Sequence, residues 1–193
     1  VITGATLKLA PQPANIGAAF MAVTSPAAAL DVLALAGDHL GDGLSAFEII
    51  HRQGLDFLAE VGPEVRPPFT DMPEWMVLVD VGLPKGLDPV EALTDVFAAA
   101  LETGIVQDGV IAQSAAQRDA FWAVRENIPQ ANRRVGSVSS HDISLPLSAI
   151  PDFIAAGAPA LAQIGDFRIN CFGHLGDGNL HYNVFPAKGR SRD

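Results

Sequence analysis

The chain has 193 residues, 49% of them hydrophobic and 18% charged, which is long enough for a buried core and too apolar for a disordered segment. Twelve Lys and Arg against 22 Asp and Glu give a formal charge of −10, and no basic run exceeds Arg133-Arg134, which excludes nucleic acid as a partner. The single Cys171 excludes a disulfide framework and a Cys-based zinc ribbon, and fits a reducing, cytoplasmic location.

Ile2 to Leu9 is β-rich and breaks at Pro11-Gln12-Pro13. The uncharged stretch from Leu9 to Leu30 is long enough to span a bilayer, but Pro11, Pro13, Asn15 and Pro26 interrupt it and alanine supplies most of its apolar character. It is not a membrane span. Ser25-Pro26 opens a helix from Ala27 to Leu40, which Gly41 and Gly43 end. Leu44 to Ile50 reads as a strand with Glu48 inside it, and His51 to Val61 as a helix stopped by Gly62-Pro63. A proline-rich loop leads to the clearest strand, Trp75 to Val81. Asp88-Pro89 opens a helix to about Glu102 with Val90, Leu93, Val96, Phe97 and Leu101 on one face. Val110-Ile111-Ala112 is a short strand, and Ser114 to Ile128 a helix that Pro129 stops. Ser137 to Leu145 is extended, Leu147 to Ile164 helical, and Arg168 to Phe172 and Leu180 to Phe185 are strands.

This order predicts an α+β domain with a largely antiparallel sheet and helices on one side. The chain opens on Val1-Ile2-Thr3-Gly4 without an initiator Met and closes soon after a strand, so it reads as a piece of a longer protein.

The chemistry gathers in residues 168–184. Asp177-Gly178 between two apolar runs is a two-residue hairpin signal, because both central residues need positive φ. That turn would set His174 opposite His181, with Cβ atoms about 5 Å apart, close enough for both imidazoles to reach one divalent ion. Asn183 falls on the same face as His181, and Leu180 and Tyr182 on the other. The same stretch is also readable as an ordinary hairpin whose histidines happen to face each other. Gly173, Gly176 and Gly178 strip bulk from around the rings and leave room for a ligand, which favours metal binding.

His174-Leu-Gly-Asp-Gly-Asn-Leu-His181 with Asn183 resembles the signature of the flavin-dependent D-2-hydroxy-acid dehydrogenases and oxidases of the vanillyl-alcohol-oxidase superfamily, which include D-lactate, D-2-hydroxyglutarate and glycolate oxidoreductases. Phe121 to Ile128 resembles that family's helix with a substrate-binding Arg, and His141 to Pro146 its following strand. Gly4 to Pro13 resembles the exit from its FAD domain, and Ser45 to Glu48 the first strand of its substrate domain. The resemblance implies that residues 1–14 leave an N-terminal FAD-binding domain and that residues 15–193 form the C-terminal, ferredoxin-like substrate (cap) domain, ending before the family's final segment. It implies FAD bound mainly by the other domain in cis, a divalent metal, zinc by preference, on His174 and His181, and a small 2-hydroxy acid held by Arg125 and Asn183. It admits a homodimer. No catalytic residue is assigned within the chain, because the family's third metal ligand, a Glu, and its basic His would lie beyond Asp193. On this reading the full-length protein is an enzyme and the fragment alone is inactive. Ser139-Ser140-His141 stands where dicarboxylate-specific members of the resembled family carry a Lys, which puts a preference for D-2-hydroxyglutarate in doubt; separately, Pro129 stands where some relatives carry a Thr.

Other residues read as structural. Arg125 by itself is an ordinary helix arginine, and His141 and Asp142 point to opposite faces and cannot form a local acid–base pair. Trp75, Trp122 and Cys171 read as core. Glu48 and Asp80 could supply carboxylate to a site, but satisfaction at a sheet edge or hairpin is the favoured reading of each. The alternative function is a free-standing ferredoxin-like module that binds a metal or small acid without catalysis.

Overall fold

A computed structural model describes residues 1–9 and 12–190 of the chain. Seven strands form one antiparallel sheet in the order β4-β1-β3-β2-β6-β7-β5. The strands are β1 (Asn15–Val23), β2 (Leu44–His51), β3 (Trp75–Leu83), β4 (Val106–Ile111), β5 (Ser139–Ser144), β6 (Phe167–His174) and β7 (Asn179–Pro186). The helices are α1 (Pro26–Leu40), α2 (Arg52–Val61), α3 (Pro89–Glu102), α4 (Ala115–Val135) and α5 (Ile150–Ala162). The β4-β1-β3-β2 half, with its α1 and α3 crossovers, is the expected ferredoxin-like unit, and β6, β7 and β5 extend it past β2.

The helices do not all lie on one side. Ala19, Met21 and Val23 of β1 pack with α1, α3 and α5, whereas Ala18, Phe20 and Ala22 pack with α2 and α4. Both faces of the central strands are apolar, β3 being buried along nearly its whole length, so each face needs its own helical cover.

Three elements differ from the sequence reading. Residues 2–9 form no strand and are exposed; Pro11 of the expected break lies outside the described residues. Among the described residues nothing pairs with that segment, and a lone strand has no stability of its own. The first strand is instead β1, hidden in the alanine-rich stretch because it has no polar–apolar alternation; pairing with β3 and β4 outweighs the weak strand propensity of alanine. Helix α4 runs through Pro129 to Val135 and ends at Gly136, φ 81°. Burial of Ile128, Ala131 and Asn132 holds the extra turns, although Pro129 withdraws the N–H that the Arg125 carbonyl would accept.

Candidate functional site

The site lies between α4 and the sheet, where β2, β6 and β7 come together. Glu48 sits opposite His174 across β2 and β6, and Phe172 opposite His181 across β6 and β7. The expected direct pairing of His174 with His181 is therefore not formed. The connection is a 3-10 turn, Leu175–Asp177, followed by Gly178 at φ 70°, which shifts the register by two residues. The two rings still meet diagonally, with centroids 5.9 Å apart.

The glycines do something other than make room. A Cβ on Gly173 would lie 2.5 Å from the Asn179 carbonyl oxygen, and one on Gly178 2.4 Å from that of Leu145. Both are demanded by close backbone approach. Only Gly176 faces open space, with Phe47 at 3.8 Å.

Glu48 organises the cluster. It is 2% exposed; Arg125 Nε donates to its Oε2 at 2.6 Å, and His174 Nδ1 meets its Oε1 at 2.5 Å. Arg125 is buried with its guanidinium 4.8 Å over the Phe172 ring, and its terminal nitrogens have no protein hydrogen bond among the described residues. The fork ends are thus free for an incoming carboxylate. The His181 ring stacks at a tilt 4.9 Å from Phe172, and its Nδ1 lies 3.4 Å from Asp142 Oδ1. Burial, with the Arg125 cation adding to it, holds the His181 pKa below its ordinary value against the opposing pull of Asp142. Asn183, 9% exposed, accepts the backbone N–H of His141 on Oδ1 at 3.2 Å.

All four site residues expected from the sequence border this region. Arg125 and His174 share Glu48, His181 adjoins Phe172, and Asn183 lines a cavity of about 310 Å3 together with His181 and Phe172. Asn170, opposite Asn183, donates to Asn132 Oδ1 at 2.8 Å and leaves its own Oδ1 without a partner. Sequence reasoning favoured satisfaction within the sheet for Glu48, whereas its partners are Arg125 and His174. Its signal was an acid enclosed by Phe47, Ile49 and Ile50, which a strand exposes only to a specific partner. Asp142, read as structural, faces His181 across β5 and β7. Cys171 is core as expected, and burial pushes its thiol up to about 12.

Among the described residues, no group of three or more His, Cys, Asp and Glu side chains is arranged to hold a metal ion. The two histidines nonetheless have a ligand's chemistry. Each turns Nδ1 toward a carboxylate, Glu48 or Asp142, and leaves Nε2 without a protein partner among the described residues. That outer carboxylate is the usual companion of a metal-bound imidazole.

A seven-stranded antiparallel sheet with this polar cluster under one long helix defines an α+β domain. The chain belongs to the family of FAD linked oxidases, C-terminal domain, whose model matches residues 12–191. It is 31% identical over 189 residues to the mitochondrial D-2-hydroxyglutarate dehydrogenase of Arabidopsis thaliana, covering 97% of this chain and 33% of that protein. It is 31% identical over 193 residues to the D-2-hydroxyglutarate dehydrogenase of Xanthomonas citri pv. viticola, covering 100% of this chain and 40% of that one. The chain thus spans little more than a third of these relatives' length. The fold resembles that of an alkyldihydroxyacetonephosphate synthase, with TM-score 0.58 at 11% identity over 92% of this chain and 37% of that one. It also resembles that of p-cresol methylhydroxylase, with TM-score 0.55 at 13% identity over 90% of this chain and 39% of that one. No described helix is long and apolar enough to cross a membrane.

Proposed function

We propose that this chain is the substrate domain of a flavin-dependent oxidoreductase that converts a D-2-hydroxy acid to its 2-oxo acid. The observation that carries the reading is the Arg125–Glu48–His174 chain beside His181, buried at Arg125 and Glu48 and opening to solvent at His174, in a domain of the FAD linked oxidase family. The D-2-hydroxyglutarate dehydrogenase relatives supply the substrate class. Residues 1–14 would leave the FAD-binding domain, and residues 15–193 would cap it. No residue of this chain is assigned to the flavin.

Arg125 binds the substrate carboxylate through its terminal nitrogens while Glu48 and Phe172 fix the guanidinium plane. Asn183, anchored to the β5 backbone, offers its amide N–H groups to the hydroxyl or carboxylate oxygens. His174 and His181 would hold a divalent ion, zinc by preference, through Nε2, and Glu48 and Asp142 orient those rings. When bound, such an ion lowers the hydroxyl pKa and FAD accepts hydride. His181 suits a ligand's role because its pKa is depressed and the neutral ring dominates at neutral pH. A cytoplasmic location rests only on the free, buried Cys171; the plant and animal relatives bear the word mitochondrial in their names.

The test uses the full-length protein, assayed with D-lactate, D-2-hydroxyglutarate and glycolate and an artificial electron acceptor. His181→Ala and His174→Ala should each lower turnover by at least about a thousandfold and abolish bound divalent metal, while flavin absorbance is unchanged. Turnover and metal retained in either variant would overturn the ligand assignment. A wild-type protein that oxidises none of the three acids would overturn the activity.

A further inference from the structure

We propose that Trp122 is a positioning residue that sets the size of the substituent the site accepts on the His174 side, and that Asp80, paired with Arg118, holds it in place. The inference rests on the hydroxy-acid reading above and adds a specificity determinant to it.

Arg118, Trp122 and Arg125 follow one another on α4 at spacings of four and three, so they form one stripe. Beneath that stripe the sheet carries two buried acids on the same face, Asp80 of β3 and Glu48 of β2, 3% and 2% exposed. Each has its own arginine. Glu48 pairs with Arg125 and reaches the site directly through His174. Asp80 pairs with Arg118, whose Nε lies 2.8 Å from Oδ2 as an ion-pair contact without hydrogen-bond geometry.

Asp80 reaches the site only through Trp122, whose Nε1 donates to the same Oδ2 at 2.7 Å. A neutral acceptor would satisfy an indole N–H, and a buried carboxylate is a costly way to do so. What the charge adds is a stronger, directional bond that fixes the plane of the ring. The ring needs fixing because it is only partly buried. Its uncovered side lines a cavity of about 420 Å3 together with Phe47, Glu48, His174 and Gly176. Gly176 leaves that side open, so the indole is the bulkiest group bounding the space next to His174. His181 borders the other cavity, with Asn183 and Phe172. A 2-hydroxy acid with its carboxylate on Arg125 and its hydroxyl at the histidine pair extends its remaining substituent into the cavity beside His174, against Trp122.

The experiment compares D-lactate with the branched D-2-hydroxyisovalerate in the full-length wild-type protein and in Trp122→Ala, Trp122→Phe and Asp80→Asn. The readouts are kcat/KM for each acid and calorimetric affinity for the matching 2-oxo acids. Trp122→Ala should shift the branched-to-small ratio of kcat/KM roughly tenfold toward the branched acid, with the same trend in the affinities. Trp122→Phe and Asp80→Asn, which keep most of the wall and loosen its anchor, should shift it about threefold. These two variants also guard against a folding defect in the alanine variant. Ratios unchanged in all three variants, or both acids weakened equally, would make Trp122 a structural residue and overturn the proposal while the parent reading stands. A wild-type protein that oxidises neither of these acids, nor D-2-hydroxyglutarate or glycolate, would overturn both; one that oxidises only the latter two leaves the 2-oxo acid affinities to decide the proposal.

Discussion

The two faces of the sheet are made of different material. The face covered by α1, α3 and α5 is packed from residues such as Met21, Ile49, Val77, Val79 and Leu93, with Tyr182 its most polar core member. The buried polar and charged side chains of the described residues, Glu48, Asp80, Arg125, Asn132, Asn170 and Asn183, all belong to the other face or to α4 above it. Buried ionic groups contribute little net stability and are costly when unpaired. Their confinement to one face means that one layer of the domain only holds the sheet together, while the other, beside its own apolar cluster of Phe20, Phe57, Leu78 and Ile128, also holds charge in place. The alternation of the strand lets one chain do both. Glu48 and Ile49 are neighbours in β2 and face opposite ways.

That pair gives the largest expected effects. Glu48→Gln keeps the side-chain shape but leaves Arg125 buried without a counter-charge, which should cost about 3–5 kcal/mol and also weaken metal retention at His174. Ile49→Ala, on the apolar face, should cost about 2–4 kcal/mol through its cavity while KM and metal content of the remaining folded protein stay at wild-type values. Denaturant unfolding and elemental analysis measure both. Equal loss of metal in the two variants would erase the division between the faces.

Much of this was legible in sequence, and unevenly so. The helices announced themselves through caps: Ser25, Asp88 and Ser114 each accept a backbone N–H from their first turn, as Ser-Pro, Asp-Pro and Ser signals lead one to expect. The residues around the site were visible because Arg125, His174, His181 and Asn183 stand in a recognisable motif, but the register between the histidines was not. Asp-Gly is compatible with both a two-residue turn and a longer 3-10 connection, and the choice is made by the tight approach of Gly173 to Asn179 and of Gly178 to Leu145, which are tertiary contacts. Strand β1 was illegible for a different reason. A strand buried on both sides has no period to detect, and Gly-Ala-Ala-Phe-Met-Ala reads like helix or linker until β3 and β4 flank it. Glu48 and Asp80 read as structural because an acid in a strand says only that a partner exists, and the partners come from α4, with Arg125 77 residues from Glu48 and Trp122 42 residues from Asp80.

The smallest effect separates the faces by titration. His51 caps α2 by accepting the Gln53 N–H at 3.2 Å and packs 4.6 Å from the Trp75 ring on the apolar face, whereas His181 lies on the charged one. Burial lowers the pKa of both from the ordinary 6.5, and Arg125 lowers that of His181 further. The unfolded chain therefore takes up protons near pH 6.5, where the folded chain still resists them, and stability falls as pH drops below that value until the folded histidines also protonate. Each histidine contributes a slope of at most about 1.4 kcal/mol per pH unit. Stability measured from pH 7.5 to 5 should decline with both present, and either His51→Gln or His181→Gln should remove one share of the slope. Only the His181 share should respond to metal, because a ligand bound to the neutral ring adds to the penalty for protonating it. A slope in which His51→Gln abolishes the metal-dependent part would mean that the charged face is not where the ion binds.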